Sequence, residues 1–506
     1  MGAAWLVTLV IALPWGIYNS TKEYGLSDQT ASFISYLGFA MPTFWFGILL
    51  QQWLSLGLDW FPLSDMHSRG KEGSIADLFM HLVLPVSVLS LGFLASYMKY
   101  ARASMLEVLE QDYIRTARAK GVKERKVVFR HALRNALIPI ITIIGLDLPL
   151  LVGGAALTEN VFNWPGMGRL YVEMATAREY SVLMAITIVT AVVVVIGSLL
   201  ADILYAIVDP RVKLGQKGDG GVSELKVPYP SGPSPEPPVP KPAESSVTGG
   251  KAEPALSSKK PPGPWRMLWS KFSHNPYAMT GLGVLLFFII AAVLAPLISR
   301  HDPAKIDLLY ANLPAGSPGH LLGTDELGRD IFTRLLYSAR ISLLIGFSVA
   351  LASVVIGSVI GALSGYFGGW IDTVCMRIVD VMNSVPTLFL NILVLAIFGS
   401  EIRYMIMILA LTSWMSIARL VRGNFLQLRE MQYVEAARAI GVSDMGIIFR
   451  HLLRNSSFPI IVNATLMVGT AILSESALSY LGLGIQAPAT SWGAYAQQCA
   501  GIYADR

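Results

Sequence analysis

Residues 185–208 have the sequence AITIVTAVVVVIGSLLADILYAIV, within an apolar run that extends from Ser181 to Val208. A helix of about 20 apolar residues spans a hydrocarbon core of roughly 30 Å, so this run predicts a membrane-spanning helix. Four other runs have the same character: Ala278–Ile298, Ile341–Leu363, Met405–Leu420 and Phe458–Leu473. One such run could be a buried core helix of a water-soluble protein. The set together indicates a polytopic transmembrane helix bundle of the all-α class.

The composition agrees with a membrane protein. Of the 506 residues, 53% are hydrophobic and only 14% are charged, against roughly 25% charged in an average soluble chain. The net charge of +5 is small for this length and gives no indication of nucleic-acid binding. The two cysteines, Cys375 and Cys499, and the isolated histidines lack the spacing of metal ligands, so no disulfide, metal site or cofactor is expected.

A polar segment divides the chain. Residues 211–264 are rich in Pro, Gly, Ser and Lys, as in PYPSGPSPEPPVPKP at 228–242. Such a segment cannot bury enough apolar surface to fold, so it predicts a disordered, partly extended linker. A small folded domain is the less favoured alternative. The predicted organisation is therefore a first membrane unit at 1–210, a linker at 211–264 and a second membrane unit at 265–506.

The two membrane units repeat each other. YIRTARAKGVKERKVVFRHALRNALIPII begins at Tyr113, YVEAARAIGVSDMGIIFRHLLRNSSFPII begins at Tyr433, and about half of their positions match without a gap. A second match pairs VGGAALTENVFNWPGMG with VGTAILSESALSYLGLG, which aligns Glu159 with Glu475. Self-similarity of this length indicates two homologous units.

Apolar periodicity predicts five helices in each half: 2–19, 31–55, 79–104, 134–158 and 181–208, then 278–298, 338–366, 370–398, 402–422 and 454–475. Lys and Arg outnumber acidic residues in both repeated segments, whereas the loop at Leu58–Asp77 is net acidic. By the positive-inside rule, the repeated segments and the linker face the cytoplasm. The chain begins inside an apolar run, and nothing in the second half matches Ser181–Val208, so we expect two six-helix units with one helix missing from each.

Each repeated segment predicts a short helix, a sharp turn and a return helix. Gly121 and Gly441 are placed to end the short helix in a left-handed conformation, and Ser443 is placed to cap the return helix. The small side chains of Ala117 and Ala437 would allow close approach to a partner groove. An amphipathic helix lying on lipid headgroups is the alternative. Lipid contact alone gives no reason for the Gly and Ala spacing to recur, so docking is favoured.

These motifs resemble those of ATP-binding-cassette (ABC) importer permeases, whose EAA loop forms the coupling helix that docks on an ATPase. Glu435, Ala436, Ala437 and Gly441 match that loop in register. Arg115, Thr116, Ala117 and Gly121 depart from it, but resemble the variant in B-type peptide permease subunits.

Longer stretches specify the subunit types. VFNWPGMGRL from Val161 and DILYAIVDPRV at 202–212 resemble the B-type subunit. HLLGTDELGRDIFTRLLYSARISLLIG from His320 and ESALSYLGLG from Glu475 resemble the C-type subunit. The chain is thus similar to fused B-type and C-type permease subunits of a dipeptide or oligopeptide importer, and the resemblance implies two type I (MetI-like) permease units.

The resemblance also implies partners and a location. These are two cytoplasmic ABC ATPase subunits, an extracellular solute-binding protein, a lipid bilayer and a peptide substrate, or a related solute such as nickel. The implied location is a bacterial or archaeal cell (inner) membrane. The chain has no GxxxxGK[ST] phosphate-binding loop and no nucleophile–base–acid motif, so no catalytic residue is predicted and the chain is not expected to be an enzyme.

Asp147 is the candidate residue of the translocation path. A charge near the bilayer centre costs roughly 2.5–3.5 kcal/mol on insertion scales, so its side chain should face the bundle interior. It could attract a cationic group such as a peptide N-terminus, or it could form a structural pair with another polar residue. Glu159 and Glu475 lie near the outer helix ends, where a shared structural role is favoured over a gating role.

Two other classes of membrane protein fit the sequence less well. Secondary transporters often have inverted repeats and paired intramembrane acids, whereas these repeats are parallel and the acids are sparse. A membrane-embedded enzyme would need a motif such as HExxH or GxSxG, and none occurs in a suitable context. Neither class has a use for two repeated cytoplasmic segments.

Overall fold

The computed structural model describes residues 1–22, 25–147, 155–208, 270 and 272–504. The predicted linker at 211–264 lies outside the described residues. No β-strand occurs among the described residues, which confirms the all-α class. The main helices are α1 Gly2–Thr21, α2 Leu26–Ala40, α3 Thr43–Leu50, α4 Ile75–Leu109, α5 Asp112–Ala119, α6 Leu133–Asp147, α7 Ala156–Val161, α8 Met167–Thr176, α9 Tyr180–Val208, α10 Pro276–Val293, α11 Ile331–Phe367, α12 Gly369–Ser384, α13 Thr387–Phe398, α14 Ile402–Leu428, α15 Gln432–Ala439, α16 Ser457–Tyr480 and α17 Trp492–Ala504.

Six of these helices are long and apolar enough to cross a membrane: α1, α4, α11, α14, α16 and, over Tyr180–Leu200, α9. Two bent pairs, α2 with α3 and α12 with α13, raise the number of candidate spans to as many as eight. The chain is therefore a multi-pass membrane protein, as its apolar runs predict. Two compact units form, Met1–Leu214 with Ala291–Arg506, and Gly215–Ile290. All contacts described below lie in the first unit; α10 supplies most of the described residues of the second.

The prediction of single helices at 31–55 and 370–398 is wrong. The first is bent by 104° between α2 and α3, and the second by 80° between α12 and α13. Pro42 and Pro386 stand at the breaks, each as the N-cap of the second arm. The preceding residues, Met41 and Val385, have extended backbone. A proline ring disfavours helical geometry in the residue before it, which accounts for both breaks.

The predicted helix at 134–158 is interrupted at Ala155, whose backbone is not helical (φ −113°, ψ 67°). α6 ends at Asp147, residues 148–154 lie outside the described residues, and α7 begins at Ala156. The amphipathic helix α8, which follows α7, was not predicted.

Small residues bring the long helices close together. A Cβ added at Gly357, Gly361 or Gly365 of α11 would lie 2.5–2.6 Å from an atom of α14. One added at Gly16 of α1 would lie 2.7 Å from the Met98 carbonyl oxygen of α4. Membrane helices associate through such small-residue contacts because lipid tails supply no hydrophobic driving force.

The two halves of the repeat share one core. Buried Tyr171 and Leu183 of the first half belong to the same apolar cluster as Phe389 and Leu478 of the second. The Tyr171 ring stacks on the Phe389 ring at 4.3 Å, and its hydroxyl donates to the Phe389 carbonyl at 2.9 Å. Because aromatic stacking adds to burial, this contact holds the halves together within the membrane.

Candidate functional site

The repeated segments have the predicted helix–turn–helix form. α5 and α15 end two positions before Gly121 and Gly441, and these glycines have φ of +73° and +80°. Val122 N–H donates to the Ala117 carbonyl at 3.2 Å, and Val442 N–H donates to the Ala437 carbonyl at 3.0 Å, closing both turns. A Cβ added at either glycine would meet nothing within 4 Å. The backbone conformation, not a lack of space, therefore requires glycine here.

A side-chain hydrogen bond ties each short helix to its return helix. The Asn135 amide donates to the Tyr113 hydroxyl at 2.8 Å, and the Asn455 amide donates to the Tyr433 hydroxyl at 3.0 Å. All four residues are shared by the two repeats. The bond recurs across the same 22-residue separation, so the repeated sequence builds one repeated tertiary contact.

The interiors of the two segments are also alike. Ala117 packs in a buried cluster with Val127 and Val128, and Ala437 packs in one with Ile447 and Ile448. The small side chains at 117 and 437 therefore let the return helix approach, whereas the sequence analysis assigned them to the partner surface. That close packing fixes the angle at which each short helix is presented.

The remaining candidate coupling residues lie on the exposed side: Arg115, Thr116, Gly121, Glu435, Ala436 and Gly441. Large apolar side chains are exposed beside them. Phe129 and its repeat partner Phe449 are 59% and 58% exposed, and Ile440 is 81% exposed. In the first half, an open cavity of about 640 Å³ is lined by Val122, Lys123, Arg125, Lys126 and Phe129. Exposed apolar side chains with a basic rim are typical of a docking surface.

The two segments are braced differently. In the first, the Arg118 guanidinium lies 2.7 Å from the Glu124 carboxylate, and this hydrogen bond holds the pKa of Glu124 below its ordinary value. In the second, Ser443 Oγ accepts from Gly446 N–H at 3.3 Å, which confirms the predicted N-cap. The Tyr366 hydroxyl of α11 donates to Asp444, linking this segment to a membrane-spanning helix.

Sequence analysis missed an ion pair that also recurs. Arg102 of α4 lies 2.7 Å from the Asp28 carboxylate of α2, and Arg422 of α14 lies 2.5 Å from the Asp372 carboxylate of α12. Arg102 and Arg422 precede Tyr113 and Tyr433 by the same interval, so the repeat could have drawn attention to them. Their acidic partners stand in unrelated local sequence, and only the fold brings them together.

Asp147 has a hydrogen-bond partner in the membrane region. The buried Tyr97 hydroxyl of α4 donates to Asp147 Oδ2 at 2.7 Å, and Trp5 Nε1–H of α1 donates to the Tyr97 oxygen at 3.0 Å. The Asp147 side chain is partly exposed. A series of hydrogen bonds thus connects three helices and ends on the partly exposed Asp147 carboxylate.

Glu159 and Glu475 organise the loops that follow their helices. Glu159 accepts backbone hydrogen bonds from Ala155 and Arg169, both at 3.0 Å. The fully buried Glu475 accepts from the hydroxyls of Ser479 and Ser491, at 2.6 and 2.5 Å. Each glutamate therefore fixes a returning loop, in agreement with the favoured structural role.

The family model for the inner membrane component of binding-protein-dependent transport systems matches residues 12–214 and 357–503, which is more than half of the chain. The chain belongs to this family. A model for the N-terminal transmembrane domain of oligopeptide transport permease C matches residues 263–315. The two matches of the first model fall in the two halves of the internal repeat, so the chain is a fusion of two MetI-like permease units, B-type and then C-type.

Individual relatives are peptide transport permease proteins. The chain is 48% identical over 208 residues to the oligopeptide transport system permease protein AppB of Bacillus subtilis, covering 41% of this chain and 66% of the relative. It is 45% identical over 228 residues to the dipeptide transport system permease protein DppC of the same organism, covering 45% of this chain and 71% of the relative. It is 41% identical over 239 residues to the oligopeptide transport system permease protein OppC of the same organism, covering 47% of this chain and 78% of the relative.

Proposed function

We propose that this chain supplies both membrane subunits of an ATP-driven peptide importer in a bacterial or archaeal inner membrane. Units 1–210 and 265–506 form the two permease halves, and residues 211–264 link them in the cytoplasm. The proposal rests above all on the two repeated segments, which share their turn, their Asn–Tyr hydrogen bond and their exposed apolar face. The relatives named as oligopeptide and dipeptide permeases support a peptide substrate.

Each segment is a coupling site for one ATPase subunit, which makes two ATPases per chain. In the first segment Arg115, Thr116, Ala117 and Gly121 shape the docking helix, and in the second Glu435, Ala436, Ala437 and Gly441 do so. The amphipathic helix α15, with exposed Ile440 at its C-cap and exposed Phe449 on the return segment beside it, fits a hydrophobic groove on a partner. ATP hydrolysis belongs to those partners, and the chain itself carries no reaction.

Movement of a coupling helix is passed directly to the membrane. α4 ends at Leu109 and α5 begins at Asp112, and α14 ends at Leu428 before α15 begins at Gln432. The largely buried ion pairs Arg102–Asp28 and Arg422–Asp372 then join α4 and α14 to the first arms of the bent helices. A largely buried ion pair resists separation. The bent helices α2 and α3 should therefore move with α4, and α12 and α13 with α14.

Asp147 contributes to substrate binding in the path. Tyr97 orients its carboxylate, and a carboxylate at membrane depth attracts a cationic group such as the N-terminal ammonium of a peptide. An extracellular solute-binding protein delivers the peptide to the outer side. The discriminating variant is Asp147→Asn, which keeps an oxygen acceptor for Tyr97 but removes the charge.

Proteoliposomes that contain the chain, its cognate ATPases and its binding protein test the proposal. We expect ATP-dependent uptake of a labelled dipeptide or longer peptide, and loss of uptake in Gly121→Asp with Gly441→Asp. Gly70→Asp is the matched control, because Gly70 also has a positive φ and open space around it but lies in the predicted outer loop. ATP-dependent uptake that survives the double change would refute the coupling role.

A further inference from the structure

The segment between α10 and α11 brings together three side chains that are typical metal ligands. One ligand atom from each of His301, His320 and Asp330 lies within 4.8 Å of the others. His320 Nδ1 is 2.9 Å from Asp330 Oδ1, and the rings of His301 and His320 stack with centroids 4.6 Å apart. The three residues are separated by 19 and 10 positions along the chain, so no short sequence motif predicts the cluster.

The cluster lies at the end of α11 opposite to the coupling segments. Tyr366, near the last residue of α11, contacts Asp444 of the second segment. α11 has 37 residues and is about 55 Å long at 1.5 Å per residue, more than a hydrocarbon core. Asp330 is the N-cap of α11, so with the coupling segments in the cytoplasm the cluster faces the outside, where metal ions can reach it.

The three side chains are held in place by their surroundings. Asp330 Oδ2 accepts from Thr333 N–H at 2.8 Å, which fixes the carboxylate at the start of α11. His301 Nε2 lies 2.9 Å from the Gly319 carbonyl oxygen. The loop itself is tightly wound, since a Cβ added at Gly323 would lie 2.2 Å from the Leu313 carbonyl oxygen. The Asp330 and His320 side chains are only 4% and 13% exposed.

We propose that His301, His320 and Asp330 bind a divalent transition-metal ion of the zinc class on the outer face of the second permease unit. Two imidazoles and one carboxylate are common zinc ligands, with a water in the fourth position. Ligands about 2.0 Å from a tetrahedral ion lie about 3.3 Å apart. His320 Nδ1 and Asp330 Oδ1 are 2.9 Å apart, near that separation. A ring nitrogen of His301 lies within 4.8 Å of them and must move closer by up to about 1.5 Å.

The ion would lie between His320 Nδ1 and Asp330 Oδ1, in place of the hydrogen bond that now joins them. The bound ion would join His301, in the chain after α10, to Asp330 at the N-cap of α11, and so connect both ends of the outer segment.

Zinc binding to the full chain in nanodiscs tests the assignment. The protein is freed of any histidine tag and treated with a chelator, and Zn²⁺ is added alone and followed by calorimetry. We expect a site that binds one ion per chain, weakened at least ten-fold in His301→Gln and in Asp330→Ser. Serine also caps helices, so the second variant removes the ligand while it keeps α11 capped.

His67→Gln is the control on the outer side. His67 and His81 lie 3.8 and 3.7 Å from Asp77, but among the described residues these three do not place their ligand atoms within 4.8 Å of one another. His67→Gln should leave the affinity of the site unchanged. Tetrahedral Co²⁺ absorption in the wild type, lost in His301→Gln, gives an independent readout of the coordination. Absence of a stoichiometric Zn²⁺ site in the wild type, or an equal loss of affinity in His67→Gln, would overturn the proposal.

Discussion

Replacing Gly441 by alanine isolates the backbone requirement of the second coupling turn. Because a Cβ at this position meets nothing within 4 Å, the substitution introduces no clash. It does place an L-residue at φ +80°, and the left-handed conformation costs such a residue about 1–2 kcal/mol. The free energy that keeps the turn closed should fall by this amount, which is about a 5–30-fold change in the opening equilibrium.

Amide hydrogen exchange measures that equilibrium directly. Val442 N–H closes the turn on the Ala437 carbonyl, so its exchange in nanodiscs should accelerate about 5–30-fold in Gly441→Ala. Gly121→Ala should do the same for Val122 in the first segment. Gly70→Ala, which carries equal backbone strain in another loop, should leave both amides unchanged. Unaltered exchange of Val442 in Gly441→Ala would refute the reasoning.

Three further outcomes follow from the same contacts. Arg422→Gln leaves the Asp372 carboxylate without its guanidinium and should cost about 3–5 kcal/mol of stability, measured as a lower unfolding temperature. Adding Asp372→Asn should restore most of the lost stability, and no recovery would contradict the ion-pair account. The hydrogen bond from Arg118 lowers the pKa of Glu124. The stabilisation from this ion pair is therefore present above about pH 4.5 and is lost as the pH falls through the lowered pKa. Amide hydrogen exchange in this segment should accelerate in acid for the wild type but not for Glu124→Gln. Asp147→Asn should reduce uptake of a free peptide but not of its N-acetylated form, and equal uptake by both proteins would remove Asp147 from the path.

The elements set by local chemistry could be predicted from the sequence. The glycine turns and the Ser443 cap depend on residues within a few positions of one another, and they form as expected. The breaks before Pro42 and Pro386 follow an equally local rule. Single helices are predicted there only when the long apolar runs are given more weight than the prolines. The prolines predict these breaks better than hydropathy does, because a proline restricts the backbone of the preceding residue whatever the hydropathy of the run.

Contacts between distant segments could not be predicted. The repeat points to Arg102 and Arg422 but not to Asp28 or Asp372, because the packing of α2 on α4 and of α12 on α14 decides which acid each arginine meets. The partner of Asp147 is likewise a tyrosine 50 positions away. Whether Asp147 serves transport or structure stays a prediction, since the bond to Tyr97 is compatible with both roles.

The number of ATPase subunits bound per chain tests the central claim most directly. Native mass spectrometry of the chain in nanodiscs with its cognate ATPase should show two ATPases on the wild type and one on each of the single variants Gly121→Asp and Gly441→Asp. The double variant should bind none, and Gly70→Asp should bind two. A wild-type chain that binds no ATPase, or a double variant that still binds two, would contradict the assignment of these segments as coupling sites.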